Sequence, residues 1–529
     1  MASIRKQAGR SPGIVSKLII FGLGGLLLAT TACSSRESRA AAAAAEGKAL
    51  FAAGDFAGAG RQFSAAVSLQ DEDPAIWIAK GRNDVAQKNL GAAFASYAAA
   101  LELDSANREA LDAVAQLSLA SGDLDKAMRT SEQILALAPA DPSGLFVRTA
   151  VLIKDGRLDA ASDTVETGLK SNPTDQSLLI LRSRILLKRG EFARAQEVLP
   201  PLAVVDRPSA LLLQQYADVY ERRFNGRGLA DVAERASRAE KPSFELLLAL
   251  GSRRAAINDI DGALGAFTKA LQTTKAEQAQ QTVALAMAHA DLSPDDLVRV
   301  LNEALRDARL RGAAAQYLIA VNRSDLAWIV IGAVGGNAGD APVDVGLAAY
   351  IAATRGNWSD ARALAQRQLS TDARDHWALL ARALAIAHAG KLDGAIRDAR
   401  VAVSDVPDSV EATRQLAFIY RLQGDYLLAD NAIVTAFNAE RDSELLLRLL
   451  VHNLAKRGRN AELGSLLRRF VLRNPSSVMG WRLRAQSCAS ASQVDCARRA
   501  AAVVRSLRGQ VVEVPPAPPD EILGERDYR

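Results

Sequence analysis

One arrangement of polar and apolar positions recurs along this chain. It reads Gly54-Asp55-Phe56, then Ala59, Phe63 and Ala66. Thirty-four residues on, the same slots hold Lys88-Asn89-Leu90, Ala93, Tyr97 and Ala100, and another 34 bring Gly122-Asp123-Leu124, Ala127, Ser131 and Ile134. The steps of four and three within each string put these side chains on one face of an α-helix. The register continues through Gly156, Gly190 and a degraded repeat near Phe224, and returns at Asn258. A second string runs from Gly356 through Gly390, Gly424, Gly458 and Ser492. The distance from 258 to 356 is four short of three periods, so about one helical turn is missing between them.

Each period predicts a pair of antiparallel helices. The Gly or small polar residue marks the turn, where the chain leaves a helix in a left-handed conformation. The slot five residues later is alanine in ten of twelve alignable repeats, the exceptions being Leu229 and Leu463. A small residue there allows close approach of the first helix, and Gly47, Gly81, Ala115, Gly251 and Ala349 are expected as the opposing half of that contact. Proline recurs 17 after the turn at Pro139, Pro173, Pro407 and Pro475, ending the second helix.

A 34-residue period with these slots resembles the tetratricopeptide-repeat family, from about residue 42 to 508. The resemblance implies an all-α superhelical solenoid of about 13–14 helix pairs. We divide it into an N-terminal array at 46–275, an irregular helical connector at 276–342 that holds two helix pairs and a bend, and a C-terminal array at 343–508. Within the connector the turn signature is missing, and Gly332 to Asp340 reads as a flexible link.

Charge matters only once it is located. The chain has 65 basic and 60 acidic residues. Arg5, Lys6, Arg10 and Lys17 account for four of the five excess charges, so no electrostatic case for nucleic acid remains. Those bases precede an apolar run, Leu18 to Leu28, of about 16 Å as a helix, too short to span a bilayer. Residues 1–32 are therefore read as a signal peptide. Thr30-Thr31-Ala32-Cys33 resembles a bacterial lipobox, which implies lipidation of Cys33, membrane attachment, and a tether at 33–45 whose alanines could extend the first helix. Ser34 in place of aspartate implies an outer-membrane address facing the periplasm. The proline-rich end, 509–529, is expected to be a disordered tail.

Little material is present for catalysis. His289, His376, His388 and His452 lie on separate expected helices, which predicts surface or groove residues and no metal site, and no cofactor motif occurs. A catalytic insert within 276–342 is the minor alternative. Cys488 and Cys496 flank the turn at Ser492, four residues to each side, where a helix pair can bring α-carbons within disulfide reach. They are either bridged, as their spacing resembles Sel1-like repeats, or two buried thiols.

In the family resembled, first helices line a concave surface that takes extended peptides. That places Lys48, Arg82, Phe146, Lys154, Arg184 and Lys188 in the N-terminal groove. It places Trp377, His388, Arg414, Phe418, Arg421, Arg448, His452 and Lys456 in the C-terminal groove. Such basic faces imply an acidic protein or peptide partner, with an anionic polysaccharide as the alternative. The resulting expectation is a non-catalytic scaffold of a pilus, secretion or exopolysaccharide-export assembly.

Overall fold

The computed structural model describes residues 35–238, 242–276, 278–304, 307–332, 344–407 and 409–516. Cys33, the leader, most of the glycine-rich link and residues 517–529 lie outside them. Among the described residues are 28 α-helices and no strand. The all-α solenoid of stacked helix pairs expected from the register is the fold observed.

The chain divides into two compact units at Leu181. Unit 1 holds α1 (Arg36–Ala52), α2 (Phe56–Leu69), α3 (Pro74–Ala86), α4 (Leu90–Leu103), α5 (Arg108–Ser121), α6 (Leu124–Leu137), α7 (Pro142–Lys154) and α8 (Leu158–Ser171). The division falls inside α9 (Gln176–Lys188). Unit 2 continues with α10 (Phe192–Glu197), cut short before Pro200-Pro201, then α11 (Ala210–Arg222), α12 (Gly226–Ala236), α13 (Phe244–Ala256) and α14 (Ile260–Thr273). Next come α15 (Ala279–His289), α16 (Pro294–Ala304), α17 (Ala308–Ala320) and α18 (Ser324–Gly332). The last ten are α19 (Val345–Thr354), α20 (Trp358–Thr371), α21 (His376–His388), α22 (Leu392–Asp405), α23 (Val410–Gln423), α24 (Tyr426–Ala439), α25 (Glu444–Lys456), α26 (Asn460–Arg473), α27 (Val478–Ser490) and α28 (Val494–Leu507).

Every turn of the register has positive φ. Glycine supplies it at 54, 122, 156, 190, 356, 390, 424 and 458; Lys88, Phe224, Asn258 and Ser492 adopt it without glycine. The repeat at Phe224 is thus regular in backbone, and the Phe224 ring stands edge-on to Trp481 at 5.4 Å between centroids. The connector, expected to lack the turn, has it too. Asp291 and Asn322 carry φ of 51° and 66°, so the four missing residues are spread over steps of 33 and 31 before the 34-residue step to Gly356.

Burial explains the alanine slot: Ala59, Ala93, Ala127, Ala161, Ala195, Ala263, Ala361, Ala395 and Ala429 are all 0% exposed. The opposing glycines have a different partner from the one expected. A Cβ on Gly47 would lie 2.8 Å from the Phe63 ring, on Gly81 2.8 Å from Tyr97, and on Gly251 2.4 Å from Phe267. They make room for the aromatic nine after the turn, a larger volume than alanine needs.

Nineteen residues after most turns sits an unforeseen slot, an N-cap. Asp73, Asn107, Asp141, Ser209, Ser243, Asp375, Ser409, Ser443 and Ser477 each accept from a backbone N–H in the first turn of the next first helix. Each cap stabilises its helix by about 1 kcal/mol.

Two boundaries move. Residues 36–45, expected as tether, belong to α1: Ser35 caps it, and Ala40 and Ala44 are buried with Ala66 and Ile76. Residues 510–516 are extended but held, since Val514 packs on the core and the Pro515 carbonyl accepts from Arg499 at 3.0 Å.

Candidate functional site

Unit 1 presents its first helices, α1, α3, α5 and α7, as a stacked face open to solvent. Lys48, Arg82 and Gln116 are exposed there, six residues before their turns, and Phe146 is half-buried. Arg82 is held by a two-pronged ion pair to Glu109 of the next first helix. Beneath it Lys80 donates to Asp84 and to Ser96 at 2.8 and 3.1 Å, a neutralised triad between α3 and α4. Arg108 bridges Asp112 and Asp141. Burial alone would raise the Asp141 pKa, but the Arg108 guanidinium and the N–H groups of Gly144 and Ser143 outweigh it and hold the carboxyl below its usual range. Lys154 is exposed and donates to the Leu119 carbonyl at 3.2 Å. The charges of this face are thus largely paired along the stack, which fixes their positions.

Arg184 and Lys188 were grouped with that face, but they follow the division and belong to unit 2. Arg184 is half-buried and Lys188 exposed on the last turns of α9.

Unit 2 uses its inner face differently. First helices α15 and α17 of the connector pack against first helices α23, α25 and α27 of the C-terminal array, and α12 packs against α28. The expected groove is therefore filled along part of its width by the chain itself. Three arginines at 34-residue spacing make the join. Arg414 donates to the Ile319 carbonyl at 3.2 Å and Arg448 to the Val321 carbonyl at 3.1 Å. These carbonyls end α17, where the helix dipole is negative. Arg482 makes two bonds to the Asp291 carboxylate, 2.5 and 2.7 Å, and Arg508 donates to the Asp291 carbonyl at 3.1 Å. Arg448 has its pKa lowered first by burial and then by Arg482.

Around this ladder the packing is tight. A Cβ on Gly226 would stand 1.9 Å from the Leu507 carbonyl oxygen, so α28 meets the start of α12 backbone to backbone. The His289 ring lies 2.6 Å from Glu444 through Nδ1 and 3.4 Å from Ser476 through Nε2, and Ser476 donates to Glu221 at 2.5 Å. His289 is thus a structural brace between α15 and α25, where a plain surface or groove residue was expected. Trp377 is 5% exposed, packed on Tyr350, whose hydroxyl donates to the buried carboxylate of Glu411.

The remaining C-terminal candidates occupy an open lip near the turns. Phe418 is 46% exposed, and His388, His452 and Lys456 are exposed. His388 stacks on Trp358 at 4.3 Å. Arg421 donates to Asn453 at 2.7 Å, and Asn453 in turn donates to Asp430. At the end of unit 2, Cys488 and Cys496 form a disulfide with α-carbons 5.8 Å apart, tying α27 to α28 on either side of Ser492.

No group of three or more His, Cys, Asp or Glu able to hold a metal occurs among the described residues. No described helix is long and apolar enough to cross a membrane.

Neither a family model nor a curated protein matches the sequence. Solved structures do resemble it. A tetratricopeptide repeat protein from Parabacteroides merdae is 20% identical, with 47% of this chain and 99% of that one covered and a TM-score of 0.38. Naa15/Naa10 bound to HypK-THB is 12% identical over 89% of this chain and 88% of that one, with a TM-score of 0.29. YrrB, a tetratricopeptide-repeat protein with an unusual peptide-binding site, is 18% identical over 41% and 94%, with a TM-score of 0.23. The fold itself rests on the helices and their pitch.

Proposed function

We propose that this protein is a non-catalytic scaffold that binds another protein along the first-helix face of unit 1. The observation carrying the reading is that this face stays open while its charges are fixed by pairing: Arg82 to Glu109, Arg108 to Asp112 and Asp141. Pre-positioned charges on a rigid stack reduce the ordering cost of binding and set specificity by complementarity. Stacked helix pairs make extended recognition surfaces of this kind.

The scaffold is anchored through acylated Cys33 at the outer membrane, facing the periplasm. The leader sequence supports this, and so does a disulfide at Cys488–Cys496, which suits an oxidising compartment. By the resemblance of its sequence, it serves a pilus, secretion or exopolysaccharide-export assembly.

The test is site-directed photocrosslinking in the native envelope. A crosslinker at Gln116, on the open face, is expected to capture one defined protein, whereas one at Arg129, exposed on second helix α6, is not. Equal capture at both positions, or none at either, counts against the reading. Labelling with radioactive palmitate, lost on Cys33→Ser, tests the anchor.

A further inference from the structure

The lip of unit 2 has a composition of its own. Six residues before successive turns stand Phe418 and His452, and two before the same turns stand Leu422 and Lys456. All four are exposed, Phe418 by 46% and Leu422 by 50%. Neither His452 nor Lys456 makes a hydrogen bond or ion pair among the described residues, and no acid occupies these slots. Arg421, on the same turn of α23 as Leu422, is pinned by Asn453, and Arg448 stands one turn below His452 on α25. Burial foremost, then the charges of Lys456, Arg421 and Arg448, holds the His452 imidazole below the usual histidine range. The three neighbouring cations add to the effect of burial, and the ring is held neutral. Two large apolar side chains on one helix thus border the unpaired Lys456 ammonium and the neutral His452 imidazole on the next, at roughly 10 Å between axes.

We propose that the lip formed by Phe418, Leu422, His452 and Lys456 binds an acidic peptide segment that carries an apolar side chain beside its carboxylates. A carboxylate meets the Lys456 ammonium and another accepts from the N–H of the neutral His452 ring, and the apolar side chain covers Phe418 and Leu422. This deepens the scaffold reading by assigning a second docking surface and its partner's chemistry. The adjacent inner face is closed by α15 and α17, so the segment lies along the lip. An anionic polysaccharide would satisfy Lys456 but leave Phe418 and Leu422 uncovered, and the peptide is favoured for that reason.

The experiment is fluorescence anisotropy on the full chain with a labelled ten-residue peptide, Asp at alternate positions around a central Phe-Leu pair. Two controls replace Asp by Asn, or Phe-Leu by Ser-Ser. We expect saturable binding to the parent peptide, weakened about tenfold by either replacement, by Lys456→Glu and by Phe418→Ala, with stronger binding at low salt. Both positions are exposed, so the variants keep their fold, which circular dichroism verifies. No saturation below 1 mM peptide (about the weakest affinity worth calling specific), indifference to Phe418→Ala, or preference for alginate over the peptide overturns the proposal. If the peptide fails but Gln116 still captures a partner in the envelope, this site alone is lost. If Gln116 captures nothing, the scaffold reading falls, whatever the peptide does.

Discussion

Units 1 and 2 are built from one repeat and put its inner face to opposite uses. In unit 1 the first helices meet solvent, and their charges pair sideways along the stack, as Arg82 does with Glu109. In unit 2 the corresponding surface meets other first helices of the same unit, and its charges pair across the coil, as Arg482 does with Asp291. The repeat slots therefore do not determine whether a trough is available. That depends on what the superhelix brings opposite it.

Substitutions can separate the two arrangements. The largest effect is expected at Gly226, where alanine must displace the Leu507 backbone. Gly226→Ala should destabilise unit 2 by about 3 kcal/mol. Gly91 in α4 has nothing within 4 Å of a Cβ, so Gly91→Ala should leave unit 1 unchanged or slightly more stable. Thermal unfolding of both variants checks this, and equal losses would mean that unit 2 is not closed by α28.

Next in size is the disulfide. Converting Cys488 and Cys496 to serine frees a loop of eight residues and should cost about 2.5 kcal/mol. Hydrogen exchange should rise in α27, α28 and α12 and stay constant in α1–α8. Arg482→Ala follows, at about 2 kcal/mol, because Asp291 is largely buried and among the described residues keeps the longer ion pair to Arg508. Arg82→Ala in unit 1 should cost under about 1 kcal/mol, since that pair is exposed.

The smallest effect is a dependence on pH. With the Asp141 pKa depressed in the folded chain, its contribution is complete above the unfolded value of about 3.9 and fades as pH falls through the folded value. Asp141→Asn should flatten the acid limb of unit 1 stability below about pH 4 without changing it in unit 2.

Much of the fold was legible because its determinants are local. A turn residue, a buried alanine and a terminating proline each act within one helix pair, so a 34-residue register displays them. Phe224 hid a regular turn because a bulky aromatic in the turn slot is neither the glycine nor the small polar residue that marks positive φ, and Asp291 and Asn322 hid theirs behind altered spacing. The N-cap slot was legible and overlooked: Asp, Asn or Ser recurs at 73, 107, 141, 209 and 243. The closure of unit 2 was not legible. Arg414, Arg448 and Arg482 stand visibly 34 apart, but their partners lie 95, 127 and 191 residues away. Periodicity reports neighbours in the stack and is silent about what lies across it.

The two short steps, 33 and 31 residues, fall at the turns that follow α15 and α17, the helices that meet the C-terminal array. Identical repeats apply one screw operation again and again, whereas a clipped step alters the rotation for that stretch alone. A lineage of such proteins could thus convert an open spiral into a sealed ring by trimming a few residues between helices, leaving every surface side chain as it was.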